Sequence, residues 1–304
     1  MRSFPHILAR AIGVPLAFHP AKARTIADVL LPRIIGNSVH VVGPDAIDHD
    51  ATASRGRLGK VGDPLGRAYE AAGYGDELLE RDESIGIIRV EGTLINKGAW
   101  IGSYSGDTSY EGIQAQVKRA ARDRSIDTVV YEVDSFGGEV AGAFETADLI
   151  SALAEKKKSV AILTDFALSA GYLLAAATGN IVIPETGRAG SIGVVSLYMD
   201  YSKQMDDAGV RVTILMSGKH KADGNPFEAL PPEVAERITA DLNATRDLFA
   251  GAIGRYRGRR MSKLQALQTE AQDYRGPEAL SLGLVDAVMA PDVAYQRIRR
   301  SARR

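Results

Sequence analysis

Cysteine is absent from the 304 residues. Disulfides, thiolate nucleophiles and Cys-ligated zinc or iron–sulfur centres are therefore excluded. An excess of one charge is also lacking: 37 Lys and Arg stand against 38 Asp and Glu, a formal net charge of −1. A protein that coats nucleic acid would be strongly basic, so no nucleic-acid partner is expected. No apolar run reaches the ~18–20 residues of a membrane-spanning helix. The longest, residues 167–177, is interrupted by Ser169. The N-terminus has a basic start and apolar residues, but Pro5, His6 and Arg10 break the run a signal peptide needs. A cytoplasmic protein without a membrane anchor is the expectation. Histidine is scarce: His6, His19, His40 and His49 lie near the N-terminus, leaving only His220 for a Ser-His-Asp triad farther on. There is no HExxH pattern and no three-ligand metal spacing, so no metal is expected.

What is present is ordinary globular material, with 45% hydrophobic and 25% charged residues. Residues 1–82 read as an appendage. Segment 20–31 has helical spacing, with Pro20 at a first helical position and Ile26, Val29 and Leu30 on one face. Residues 44–67 are rich in Gly, Pro and Asp and read as a flexible linker. From residue 83 the texture changes. Residues 85–90, 129–133, 160–163, 181–183 and 212–216 read as strands. Helical spacing covers 110–120, 140–153, 169–177 and a long amphipathic stretch through Val234, Ile238, Leu242, Phe249 and Ile253. The β–α alternation predicts an α/β domain over 83–290 with both faces of its sheet covered. The arginines of 291–304 read as a solvated basic tail.

Three segments could carry chemistry. Asp134-Ser-Phe-Gly-Gly138 follows a strand and precedes a helix. It lacks the spacing of a nucleotide-binding turn, but glycines there let backbone N–H groups approach a ligand or a developing oxyanion. Alone, it would be read as a plain tight strand-to-helix turn. Ser169 opens a helix of small residues after a strand. It is either an N-cap or a nucleophile on a strand-to-helix turn, with the Ala170 N–H beside it. Residues 217–227 hold Lys219, His220 and Lys221. These are surface groups, unless one lysine turns inward as a base. At the reference pKa near 10.4 only about one lysine in 2,500 is neutral at pH 7, and burial is what raises that fraction. If 220 and 221 are extended, their side chains point to opposite faces and only one of them reaches Ser169.

Taken in order, Asp134-Ser-Phe-Gly-Gly138, Leu168-Ser-Ala-Gly-Tyr172, Ala189-Gly-Ser-Ile-Gly-Val194, His220 through Phe227 and Gly283-Leu-Val-Asp286 resemble the S49 peptidase family of signal peptide peptidase A and protease IV. Pro15-Leu-Ala-Phe-His-Pro20 resembles the phage branch, the minor capsid protein C or head maturation protease type. The resemblance implies a ClpP/crotonase-like fold with repeated β-β-α units, assembly into homo-oligomeric rings, and no cofactor. It also implies Ser169 as nucleophile, Lys221 as base, Ser191 as the partner of that lysine, and Gly138 with Ala170 as the oxyanion hole. Phe136 stands where the family usually has proline, and Ala170 where glycine is frequent. The expected function is a Ser-Lys endopeptidase that trims capsid or scaffold proteins in the bacterial cytoplasm or inside a procapsid. Two other readings are open: a crotonase-type acyl-CoA enzyme, and a non-catalytic component that binds capsid or scaffold.

Overall fold

The apolar runs at 85–90, 129–133 and 160–163 become the three long parallel strands at the centre of one sheet. A computed structural model describes residues 16–18, 64–74, 78–97, 101–104 and 106–302. The strands are β1 (Leu16–Phe18), β2 (Glu80–Asp82), β3 (Ile85–Ile95), β4 (Ser103–Tyr104), β5 (Asp107–Ser109), β6 (Thr128–Glu139) and β7 (Lys158–Leu168). They continue with β8 (Ile181–Ile183), β9 (Arg188–Gly190), β10 (Asp273–Arg275) and β11 (Ala287–Val288). The sheet runs β10-β9-β7-β6-β3-β5-β4. β3, β6 and β7 are mutually parallel. β8 and β9 both run parallel to β7, on its earlier and later residues respectively. β2 and β1 are antiparallel additions to β3 and β6.

The helices are α1 (Pro64–Ala71), α2 (Tyr110–Arg122), α3 (Ala143–Ala154), α4 (Ala170–Ala177) and α5 (Ser202–Asp207). After them come α6 (Pro232–Arg257), α7 (Lys263–Gln268), α8 (Gly276–Ser281) and α9 (Pro291–Ala302). α2 begins where Ser109 caps it, its Oγ accepting from the Gly112 N–H at 3.0 Å. β6 and β7 are connected through α3, β3 and β6 through α2: right-handed crossovers are the rule for such parallel units. α4 is buried along its whole length. Its alanines and glycine are what let a helix sit that deep, because a larger side chain would hold it off the strands. One core cluster joins α2, α3, α4 and α6 to the sheet; Ile88, Val90, Ile113, Val133, Ile150, Leu163, Leu173 and Ile253 belong to it. A mixed α/β sheet covered by helices is thus the architecture.

The opposite face of β3, β6 and β7 carries Ile85, Val130, Val160 and Ile162. These pack against Ala294 and Ile298 of α9. The segment read as a solvated tail is therefore a docked helix. Its apolar residues recur four apart, a signal masked by the surrounding arginines. Asp82 anchors it by accepting from the Tyr295 hydroxyl at 2.8 Å and pairing with Arg299 at 2.9 Å.

Two other expectations change. The linker read through residue 67 gives way to α1 from Pro64, a proline in the first turn where its missing N–H costs nothing. The strand expected at 212–216 is irregular chain, with Val212, Ile214, Leu215 and Met216 all exposed. Its β-branched and apolar residues favour a strand, but no neighbouring strand pairs with it among the described residues. The helix expected at 20–31 and most of the linker lie outside the described residues.

Candidate active site

Ser169 stands at the junction of β7 and α4, at φ 54° and ψ −121°. An L-residue pays roughly 1–3 kcal/mol for such a conformation, so surrounding structure must hold it there. It is held by three bonds. The Ser169 N–H donates to the Gly190 carbonyl at 2.9 Å, its own carbonyl accepts from the Leu173 N–H at 2.9 Å, and its Oγ donates to the Gly193 carbonyl at 3.3 Å. The side chain makes no capping bond to α4. A serine kept for capping would sit in the extended region and accept from the first turn; this one sits in a strained strand-to-helix turn of the kind that presents a nucleophile.

Loop 190–193 bears against that turn. Ser191 is also at positive φ (56°) and buried, and its N–H donates to the Gln272 carbonyl at 2.9 Å. Glu270 and Ala271, just before Gln272, have φ of 47° and 59°. Four of the five non-glycine residues at positive φ among the described residues thus fall in this one neighbourhood. Strained backbone clusters at functional sites, and this makes the neighbourhood the candidate site.

The second wall comes from the end of β6. Gly137 and Gly138 lie two and three residues past Ser135, and Ser135 pairs with Ala167, two residues before Ser169. The glycine turn and the serine thus leave adjacent strands at the same end. Gly138 admits no side chain, since a Cβ there would lie 1.8 Å from the Leu94 carbonyl oxygen. Ser135, fully buried, shapes the turn: its Oγ donates to the Gly92 carbonyl at 2.6 Å and accepts from the Gly137 N–H at 3.1 Å. Sequence reasoning missed this role, although a small polar residue ending the apolar run of β6 is a readable signal. Phe136 stacks on Phe166 with centroids 4.5 Å apart, closing one side of the turn with aromatic surface. Ala170 is the first residue of α4, and first-turn N–H groups have no partner within a helix.

The structure therefore gathers Ser169, Ala170, Ser191 and Gly138 around one end of the sheet. It does not bring Lys221 to them. Residues 217–224 form exposed turns, and Lys221 is exposed, its N–H donating to the Gly218 carbonyl at 3.1 Å. No hydrogen bond joins its amine to Ser169 or Ser191. The extended arrangement expected at 220–221 is absent. His220 is held elsewhere, its Nδ1 paired with Asp223 at 2.9 Å, and Asp223 is also paired with Arg237. Among the described residues no group of three His, Asp or Glu side chains could hold a metal ion.

Asp286 of the Gly283-Leu-Val-Asp286 segment is structural. It accepts from Arg257 Nη1 and from the Ile181 N–H, both at 2.8 Å, and pairs with Arg260. Arg257 is buried; its Nε and Nη2 donate to the Gly283 carbonyl, and Nη2 also donates to Asp286. A buried guanidinium needs such complete pairing. The Tyr172 hydroxyl donates to the Leu284 carbonyl at 2.8 Å, so the same segment also fixes the far side of α4; burial raises this phenol well above its ordinary pKa.

Capsid assembly protease C of Escherichia phage lambda is 34% identical over 296 residues, covering 95% of this chain and 64% of that protein. Head-tail preconnector protein GP5 of Enterobacteria phage P21 is 35% identical over 289 residues, covering 95% and 56% respectively. The chain thus spans about three fifths of the length of these relatives. Among solved structures, an enoyl-CoA hydratase/isomerase family member superposes with a TM-score of 0.42 at 16% identity, covering 74% of each chain. A family model for peptidase S49 matches residues 151–303, just over half of the sequence, from the last turns of α3 through the serine turn to α9, and the chain belongs to peptidase family S49.

Proposed function

We propose that the protein is a serine endopeptidase of the Ser-Lys type that processes capsid or scaffold proteins during phage head assembly. The observation that carries this reading is the conformation of Ser169. It is a strained, uncapped serine on a strand-to-helix turn, beside a glycine turn that cannot accept a side chain. The S49 membership and the capsid protease of phage lambda support the reaction class and the substrate class.

In this mechanism the Ser169 hydroxyl leaves the Gly193 carbonyl and attacks a peptide carbonyl carbon. The N–H groups of Gly138 and Ala170 receive the oxyanion, each such donor contributing about 3 kcal/mol in well-studied proteases. Lys221 takes the serine proton and passes it to the departing amine; water then releases the acyl group from Ser169. Ser191 positions the lysine amine. An ammonium cannot accept a proton, so Lys221 acts as the base only as the neutral amine, the form that exclusion of water favours. Residues 208–231 must therefore fold down over the site, under bound substrate or under a second copy of the chain. Val210, Ile214, Leu215, Met216 and Phe227 give that segment the exposed apolar surface such covering needs. The expected homo-oligomeric ring is one way to supply it.

An acyl-CoA enzyme would need a backbone oxyanion hole but no strained serine, so Ser169 disfavours that alternative. Lys221→Ala and Ser169→Ala are each expected to abolish peptide cleavage with an unchanged circular dichroism spectrum. An unaltered rate in either removes that residue from its role. Ser191→Ala is expected to slow cleavage and move the rising limb of the pH–rate profile to higher pH, because the neutral amine loses its partner. A profile that stays in place contradicts the positioning role.

A further inference from the structure

β6 has two edges. β3 occupies one as far as Gly138, with Thr93 opposite Gly137 and Leu94 opposite Gly138. β7 occupies the other only as far as Ser135, opposite Ala167, and then turns away at Ser169 into α4. Beyond that point the vacated edge is filled by Leu16–Phe18, antiparallel, with Leu16 opposite Glu139, Ala17 opposite Gly138 and Phe18 opposite Gly137. Gly137 lies two residues past Ser135, as Ser169 lies two residues past Ala167. Phe18 therefore aligns with the level of the nucleophile on the strand next to it.

A peptide added to a sheet edge is held by its backbone, whatever its sequence. The edge filled by β1 is lined by two glycines, carries the oxyanion-hole residue Gly138, and ends beside Ser169. We propose that Leu16–Phe18 is a built-in occupant of the substrate strand site, so that an incoming polypeptide must displace it and take the same antiparallel ladder. This rests on the assignment of Ser169 and Gly138 above, and adds two things to it. The substrate backbone runs from the level of Glu139 toward that of Gly137, bringing its scissile bond to Ser169 from its N-terminal side. The N-terminal segment competes with substrate from within the chain. Three features fit a displaceable strand. It is three residues long, it lies antiparallel beside strands that are parallel to one another, and Pro15 and Pro20 flank it in sequence, where neither can extend a ladder by donating.

The test uses the full chain carrying Ser169→Ala, with and without the pair Ala17→Pro and Phe18→Pro, which removes every N–H the strand could donate from those two positions. The probe is a fluorescently labelled peptide of residues 12–22, read by anisotropy. A tethered competitor acts at a high local concentration, so the proline variant is expected to bind the peptide about tenfold or more tightly. The amides of Gly138 and Glu139 should exchange faster in that variant and regain protection when peptide binds. Equal affinity in the two proteins, or unchanged exchange at both amides, overturns the proposal. So does a proline variant that fails to fold, since it makes β1 an integral strand. Restoring Ser169 and reading the peptide by mass separates the two claims. Peptide that binds and is never cut counts against the peptidase and leaves the strand site standing.

Discussion

Ser135 and Ser169 share one problem, backbone in a shape the chain would not keep unaided: Ser169 is held in it by its neighbours, and Ser135 holds the glycine turn in it. Ser135 does it with a hydroxyl that bridges the Gly92 carbonyl and the Gly137 N–H. Removing it leaves two buried backbone groups with one partner fewer, a cost of about 1–3 kcal/mol. Ser135→Ala is accordingly expected to lower thermal stability and to reduce kcat, because it loosens the glycine turn that the proposed mechanism uses. A variant with wild-type kcat contradicts that role. Ser169 was legible as a candidate because it follows an apolar strand and opens a helix of small residues. Its dihedral angles were not, since a capping serine and a nucleophile share one sequence signature. Ser191 and the 270–272 turn were less legible still: about 80 residues separate them, and only the Ser191–Gln272 bond reveals that they act together.

At the scale of elements, the central strands and long helices followed directly from apolar periodicity. Every residue from 170 to 177 is buried, as the run of alanine and leucine suggested. Residues 212–216 failed for the opposite reason: strand propensity is realised only against a neighbour. α9 was misread because its few apolar residues are surrounded by arginines, and its docking depends on Asp82, more than 200 residues away. That contact carries a pH signature. Burial, and then the hydrogen bond to Asp82, push the Tyr295 phenol from 10.0 up to about 12. The folded value lies above the unfolded one, so the contribution is fully present below about pH 10 and is lost as pH rises through about 12. The stability advantage of wild type over Tyr295→Phe should therefore shrink across that window. A constant difference would mean that the phenol does not titrate with docking.

For the whole molecule, the sheet delivers the serine turn and the glycine turn to one end, while most of residues 208–231, with the proposed base, stand exposed. In the proposed mechanism the candidate nucleophile Ser169 has no proton acceptor in reach until the exposed 208–231 segment is covered. Sedimentation of the full chain at micromolar concentration should show an oligomer, and Leu215→Asp should shift it toward monomer and lower activity in parallel. A wild-type protein that sediments only as monomer while cleaving peptide would assign the covering role to substrate instead. Cleavage of capsid or scaffold protein by Ser169 is tested by co-expressing a candidate scaffold protein with wild type and with Ser169→Ala and reading intact masses. Wild type should give discrete fragments and the variant intact scaffold. The same fragments in both would contradict this role for Ser169.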